Sequence, residues 1–118
     1  MSFAAALFLC LSPVAVDGDT LRCAGVGMVR LLGIDAPEMP GHCRAGRVCT
    51  PGDGRDSKVV LARLIAGQRI VCAPAARDSY GRVLARCDDG AVDLSCAMIA
   101  SGHAVPRYSV IQCGTRRP

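Results

Sequence analysis

A chain of 118 residues, about half of them apolar, builds one domain around a modest core and leaves no room for several. Its formal charge of +4, carried almost entirely by arginine, is too mild for a histone-like packaging protein but suits contact with a polyanion. Eight cysteines with no C-x2-C pair argue for disulfides and an oxidising, secreted or periplasmic setting rather than a zinc site.

The N-terminal run MSFAAALFLCLSPVAV has no Lys or Arg before its apolar stretch and a poor cleavage site, and is too short for a membrane span. Removal after Ala15 would cost the domain its first strand. Residues 1–8 are therefore read as a leader remnant and residues 9–118 as a single domain. LCLSPVAV, DGD and TLRC then predict strand, tight turn, strand. VGMVRLLGI, residues 26–34, predicts one continuous third strand. Residues 39–56 have the Gly, Pro and Asp density of a loop. SKVVLARLIA places Val60, Leu61, Leu64 and Ile65 on one helical face, with Asp53 or Asp56 as cap and Gly67 past the end. QRIVCAPAA and GRVLARCDDG are a fourth and a fifth strand joined through RDSYGR. DLSCAMIAS is a second helix capped by Asp93, and HAVPRYSVIQCGTRRP is an irregular tail. Three strands, a helix, two strands and a helix predict a mainly β α+β fold: a five-stranded Greek-key barrel of the OB type with two helices.

Aromatic residues are scarce (Phe3, Phe8, Tyr80 and Tyr108), so Val, Leu, Ile, Ala and Cys must fill the core. Cys72 and Cys87 lie equally far from a turn centred between Ser79 and Tyr80, which predicts a cross-strand disulfide. Cys43–Cys49, Cys96–Cys113 and Cys10–Cys23 follow largely by elimination. They would close a ring in the long loop, tie the tail to the second helix and bridge the first hairpin.

Four of the ten carboxylates, Asp17, Asp19, Asp35 and Glu38, fall between positions 17 and 38. A polar turn would account for any one of them. Taken together, VDGDT, RLLGIDAPE and DSYGR at this spacing resemble the staphylococcal nuclease family, over most of the chain from about Val16 to Tyr108. The resemblance implies calcium held by Asp19, Asp35 and the Ala36 backbone carbonyl, with Asp17 in support. It implies Glu38 as general base, Arg30 and Arg82 on the phosphate, and Tyr80 and Tyr108 lining a nucleotide pocket. The activity implied is cleavage of DNA and RNA at the 5′ P–O bond, leaving 3′-phosphates, by a monomer with no stable protein partner. The chemistry is coherent with these residue types. A hard cation takes oxygen ligands, a carboxylate accepts a proton from water, and arginines stabilise charge developing on phosphorus. Strict alternation along one strand would not place Arg30 beside Asp35; only the resemblance does.

The sequence departs from the family pattern in places. Ala36 replaces a common threonine, which costs little where the ligand is a carbonyl. Ser79 and Val110 stand where the best-known member carries a lysine and a pocket tyrosine, changes expected to weaken nucleotide binding. The long C-terminal helix of that member is missing. His42 and His103 have no partner at metal-ligand spacing and read as surface residues. Two other functions compete. A non-catalytic OB module for single-stranded nucleic acid would carry several stacking aromatics and a basic groove, which two tyrosines and clustered acids do not supply. A disulfide-rich extracellular interaction domain would be indifferent to calcium.

Overall fold

The computed structural model describes residues 6–109 and 111–114. The leader remnant therefore falls largely outside the described residues, and Val110 wholly so. Nine elements follow one another: β1 (Phe8–Asp17), β2 (Thr20–Ala24), β3 (Gly27–Leu31), β4 (Ile34–Asp35), α1 (Gly54–Ile65), β5 (Ile70–Arg77), β6 (Val83–Asp88), α2 (Leu94–Ala100) and β7 (Val105–Pro106). Strands β1-β2-β3-β6-β5 form a closed barrel, antiparallel except for the β3–β6 pair, as the OB topology requires. β1 closes it by serving two neighbours. Its first three residues pair with β5, and the remainder pairs with β2 across a register shift at Ser12-Pro13. Ser12 sits at φ 47°, and the bulge bends the strand around the barrel.

Alternation delivers Leu21, Cys23, Val29, Leu31, Ile70, Cys72, Val83, Ala85 and Cys87 to the buried side. Leu61 and Ile65 of α1 and Leu94 and Met98 of α2 complete the core. The Cys10–Cys23 and Cys72–Cys87 bridges are buried there, doing the space filling that aromatics do elsewhere. Cys43–Cys49 and Cys96–Cys113 complete the four expected pairings. Asp53 caps α1 through the N–H groups of Arg55 and Asp56, and Asp93 caps α2 through Cys96.

Three expectations need correction. The third strand is not continuous to residue 34. It ends at Leu31, turns at Leu32-Gly33 with Gly33 at φ 83°, and resumes as β4, which pairs with β7 instead of with the barrel. The tail is correspondingly not irregular throughout, because Val105-Pro106 supplies that partner. The first helix begins at Gly54, three residues before Ser57, because Asp53 is the cap. The Cys72–Cys87 pairing holds for a reason the turn arithmetic missed. The hairpin is centred on Tyr80, with Asp78 N–H bonded to the Arg82 carbonyl, and a one-residue bulge between Pro74 and Ala76 restores the register. Pro74, which has no N–H to give, sits beside that irregularity.

Replacing Cys72 and Cys87 by alanine opens a 15-residue separation and empties a core position. A loss of roughly 3 kcal/mol is expected in urea unfolding under oxidising conditions. A change below about 1 kcal/mol would show that packing, not the cross-link, holds this hairpin.

Candidate active site

Arg30 lies in β3 between two fully buried neighbours, and its own side chain is only 10% exposed. A guanidinium so placed needs partners. Nη2 meets Asp35 Oδ1 at 3.1 Å, and Nη1 meets Asp19 Oδ2 at 3.3 Å and donates to the Ile34 carbonyl at 3.0 Å. The break at Leu32-Gly33 makes this possible. It cancels the strand alternation that would have put Arg30 and Asp35 on opposite faces, and turns the chain so that Ile34 O and Asp35 face back. Ser95 of α2 fixes the break by donating to the Leu32 carbonyl at 2.8 Å.

Asp19 lies at the β1–β2 turn. Leu31 N–H bonds its carbonyl at 2.8 Å, Ala36 N–H bonds Oδ2 at 2.9 Å, and its own N–H bonds Asp17 Oδ1 at 3.0 Å. The approach is close enough to demand Gly18, where a Cβ would stand 2.6 Å from Ser57 Cβ and 2.7 Å from Ala36 Cβ. Burial pushes the Asp19 carboxyl up to about 7. Arg30 opposes that shift, and the neighbouring Asp17 adds to it. Asp35 is held on its other oxygen by Thr50 Oγ at 2.6 Å and Arg107 Nη1 at 3.1 Å.

A cavity of about 840 Å³ opens over this cluster, lined also by Glu38, Tyr80, Arg82 and Tyr108. Among the described residues Glu38 makes no ion pair or hydrogen bond with Arg30 or Asp35. Its ion-pair partner is Arg47, at 3.2 Å. A Cβ on Gly54 would collide with the Glu38 carbonyl, so glycine in the first turn of α1 lets the helix seat against this backbone. The DSYGR turn is organised by Asp78, whose Oδ1 accepts from the Tyr80 and Arg82 N–H groups at 2.9 Å each and whose Oδ2 accepts Arg82 Nε at 2.6 Å. Slight burial pushes the Asp78 carboxyl up, but these N–H groups and the Arg82 guanidinium outweigh it and hold it below the usual aspartate range. Arg82 lies over the Tyr80 ring at 5.5 Å. Tyr108 is flanked by Arg107 at 5.0 Å and Arg30 at 5.9 Å, with its backbone at φ 73°, a conformation that tyrosine rarely adopts. Both rings are largely exposed at the cavity mouth.

Asp17, Asp19, Arg30, Asp35 and Ala36 are thus brought together, while Glu38, Tyr80, Arg82 and Tyr108 face the same cavity. Four participants went unrecognised in the sequence. Asp78 had a local signal, as the first residue of an Asp-x-x-Gly turn. Thr50, Arg47 and Arg107 had none, since loop geometry alone brings them in.

Oxygen-only donors are what calcium takes. Each carboxylate oxygen offers about two acceptor positions. On Asp19, Oδ2 is filled by Ala36 and Arg30, whereas Oδ1 has only Thr20 Oγ. On Asp35, Oδ2 is filled by Thr50 and Arg107, whereas Oδ1 has only Arg30. One oxygen on each retains capacity, and burial, with Asp17 adding, raises Asp19 although Arg30 opposes it. The donor set therefore fits a hydrated cation. Among the described residues no three His, Cys, Asp or Glu side chains form a metal cluster by themselves, so backbone oxygen and water would complete the shell.

The fold and the cavity define an OB-type barrel with acids and arginines gathered at one rim. The family model described as Staphylococcal nuclease homologue matches residues 28–117, most of the chain, and the protein belongs to that family. No curated protein matches the chain.

The Asp19 shift has a sign in stability. Its folded value lies above the unfolded value of 3.8, so the folded state binds this proton more tightly, and that contribution is lost as pH rises from about 4 through about 7. Asp19→Asn should therefore gain on the wild type, in urea unfolding with a chelator present, as pH rises across that window. A gap between the two proteins that stays constant from pH 4 to 8 would contradict the assignment.

Proposed function

We propose that the protein is a calcium-dependent nuclease that hydrolyses phosphodiester bonds of DNA and RNA, cutting the 5′ P–O bond to leave a 3′-phosphate and a 5′-hydroxyl. The observation that carries this reading is Arg30 buried between Asp19 and Asp35 beneath a cavity that also holds Glu38 and Arg82, on a barrel of this family. Asp19, Asp35 and the Ala36 carbonyl would hold calcium, with Asp17 in support. When bound, the ion supplies positive charge to the phosphate and helps orient water.

The chain's own groups carry the remaining roles. Glu38 accepts the proton of the attacking water. Arg82 is oriented through Nε by Asp78, which leaves its four Nη hydrogens for phosphate oxygens. Arg30 keeps Nε–H and one Nη2–H without a partner among the described residues, and these offer a second contact to the same phosphate. Tyr80 and Tyr108 present faces on which a base or sugar can rest. The protein would act as a monomer through one domain over residues 9–118. Four disulfides are consistent with an oxidising extracellular or periplasmic setting. Among the described residues no helix is long and apolar enough to cross a membrane.

Cleavage of single-stranded DNA by the oxidised protein, with calcium and with chelator, tests the reading. Calcium-dependent cleavage is expected, and Glu38→Gln should lower kcat by about 100-fold or more. Folded, fully oxidised protein that binds DNA without cutting it would favour the OB binding module instead. Asp78→Asn should lower kcat by about tenfold through misplacement of Arg82, with stability changed by less than about 1 kcal/mol.

A further inference from the structure

The ring closed by Cys43–Cys49 has no part in the roles above, yet it reaches the cavity. It spans a six-residue separation and turns on itself through Arg47 N–H to the Arg44 carbonyl, with Gly46 at φ 80°. Both flanks are fastened at the site. Glu38 precedes the ring by a few residues, and Thr50, directly after it, is bonded to Asp35. His42, Arg44 and Arg47 line the cavity from this side. Arg47 is also close enough to the centre that Glu38 chiefly, with burial opposing and Tyr108 and Asp35 adding, holds its guanidinium more firmly charged than usual.

The cations of the cavity differ in how tightly they are committed. Arg30 is buried across two carboxylates, and Arg82 is held by a 2.6 Å contact to Asp78. Arg47 has one ion pair, at 3.2 Å to Glu38, and a side chain 44% exposed, and Arg44 makes no ion pair among the described residues. An exposed pair of this kind contributes little to stability, so it can exchange partners at little cost. A nucleic-acid strand brings more than one phosphate. With the scissile phosphate on Arg30 and Arg82, a neighbouring phosphate needs a further cation, and Arg44 and Arg47 line the same cavity.

We propose that the disulfide ring is an arm that carries Arg47 to a phosphate flanking the scissile one. In the free protein Arg47 rests on Glu38; when substrate binds it moves to that phosphate and releases the Glu38 oxygen. The ring restricts where Arg47 can travel, so less ordering is required at binding. This substrate-binding role rests on the nuclease reading but is measurable without catalysis.

The test is binding of a fluorescein-labelled eight-residue oligothymidylate, followed by anisotropy at several salt concentrations in chelator, where no cleavage is expected. Arg47→Ala should weaken binding about three- to tenfold at low salt and flatten the salt slope by roughly 0.7, the share of one phosphate contact on a single strand. Arg47→Lys should recover part of both. Thymidine 5′-monophosphate, with one phosphate, should displace the probe from wild type and Arg47→Ala with the same inhibition constant. Cys43→Ser/Cys49→Ser should fall between wild type and Arg47→Ala. Unchanged affinity and slope in Arg47→Ala, an equal loss for the mononucleotide, or no oligonucleotide binding at all would overturn the proposal. Failure of wild type to cut DNA with calcium would instead count against the nuclease reading, whatever the anisotropy showed.

Discussion

The Arg30 guanidinium is the constraint around which the rim is arranged. A buried cation is tolerable only if its charge and its N–H groups are met. Here they are met by Asp19 from the first hairpin, by Asp35 from β4 and by the Ile34 carbonyl between. Those partners come from two chain segments, the first hairpin and β4. Each then has its own fastening: Gly18 lets the turn approach α1, Ser95 holds the β3–β4 break, and Thr50 and Arg107 secure Asp35. Loss of one partner would leave a buried charge exposed to the others without compensation.

The same arrangement divides labour between rigid and yielding parts. The carboxylate pair and Arg30 sit on strands and tight turns whose backbones are bonded to one another, as a site that must hold charges in place requires. Glu38, Arg47 and Tyr80 sit on loops around the opening, beside an Arg82 that Asp78 holds. Their mutual contacts are single ion pairs or ring contacts at the surface, which solvent and a polyanion can readily replace.

A small core with few aromatics would ordinarily leave such a barrel marginal. Two of the four disulfides lie within the core and two outside it, where they clip the loop beside Glu38 and the tail that carries Tyr108. The cysteines therefore serve both the barrel and its rim.

Local pattern was enough to read most of the barrel. Strand alternation, the helix cap at Asp93 and the turn chemistry of DGD are nearest-neighbour effects and appear where the sequence puts them, while the DSYGR hairpin turns one half-position later and relies on a bulge for its register. Asp19, Arg30, Asp35, Glu38 and Arg82 could be picked out as candidates because they stand in motifs, and all five line one cavity. What local pattern could not supply was the end of the third strand. LLGI, residues 31–34, carries no polar side chain and offers only Gly33 as a signal, whereas the break depends on β7 and Ser95 arriving from about 60 to 70 residues away. That break decides whether Arg30 and Asp35 share a face. Thr50, Arg47 and Arg107 were illegible for the same reason: their partners are set by where loops land. The sequence determined the groups that stand in motifs; only the tertiary structure decided which of them meet and which loop residues join them, because a strand's register and end, and the landing of a loop, are fixed by distant partners.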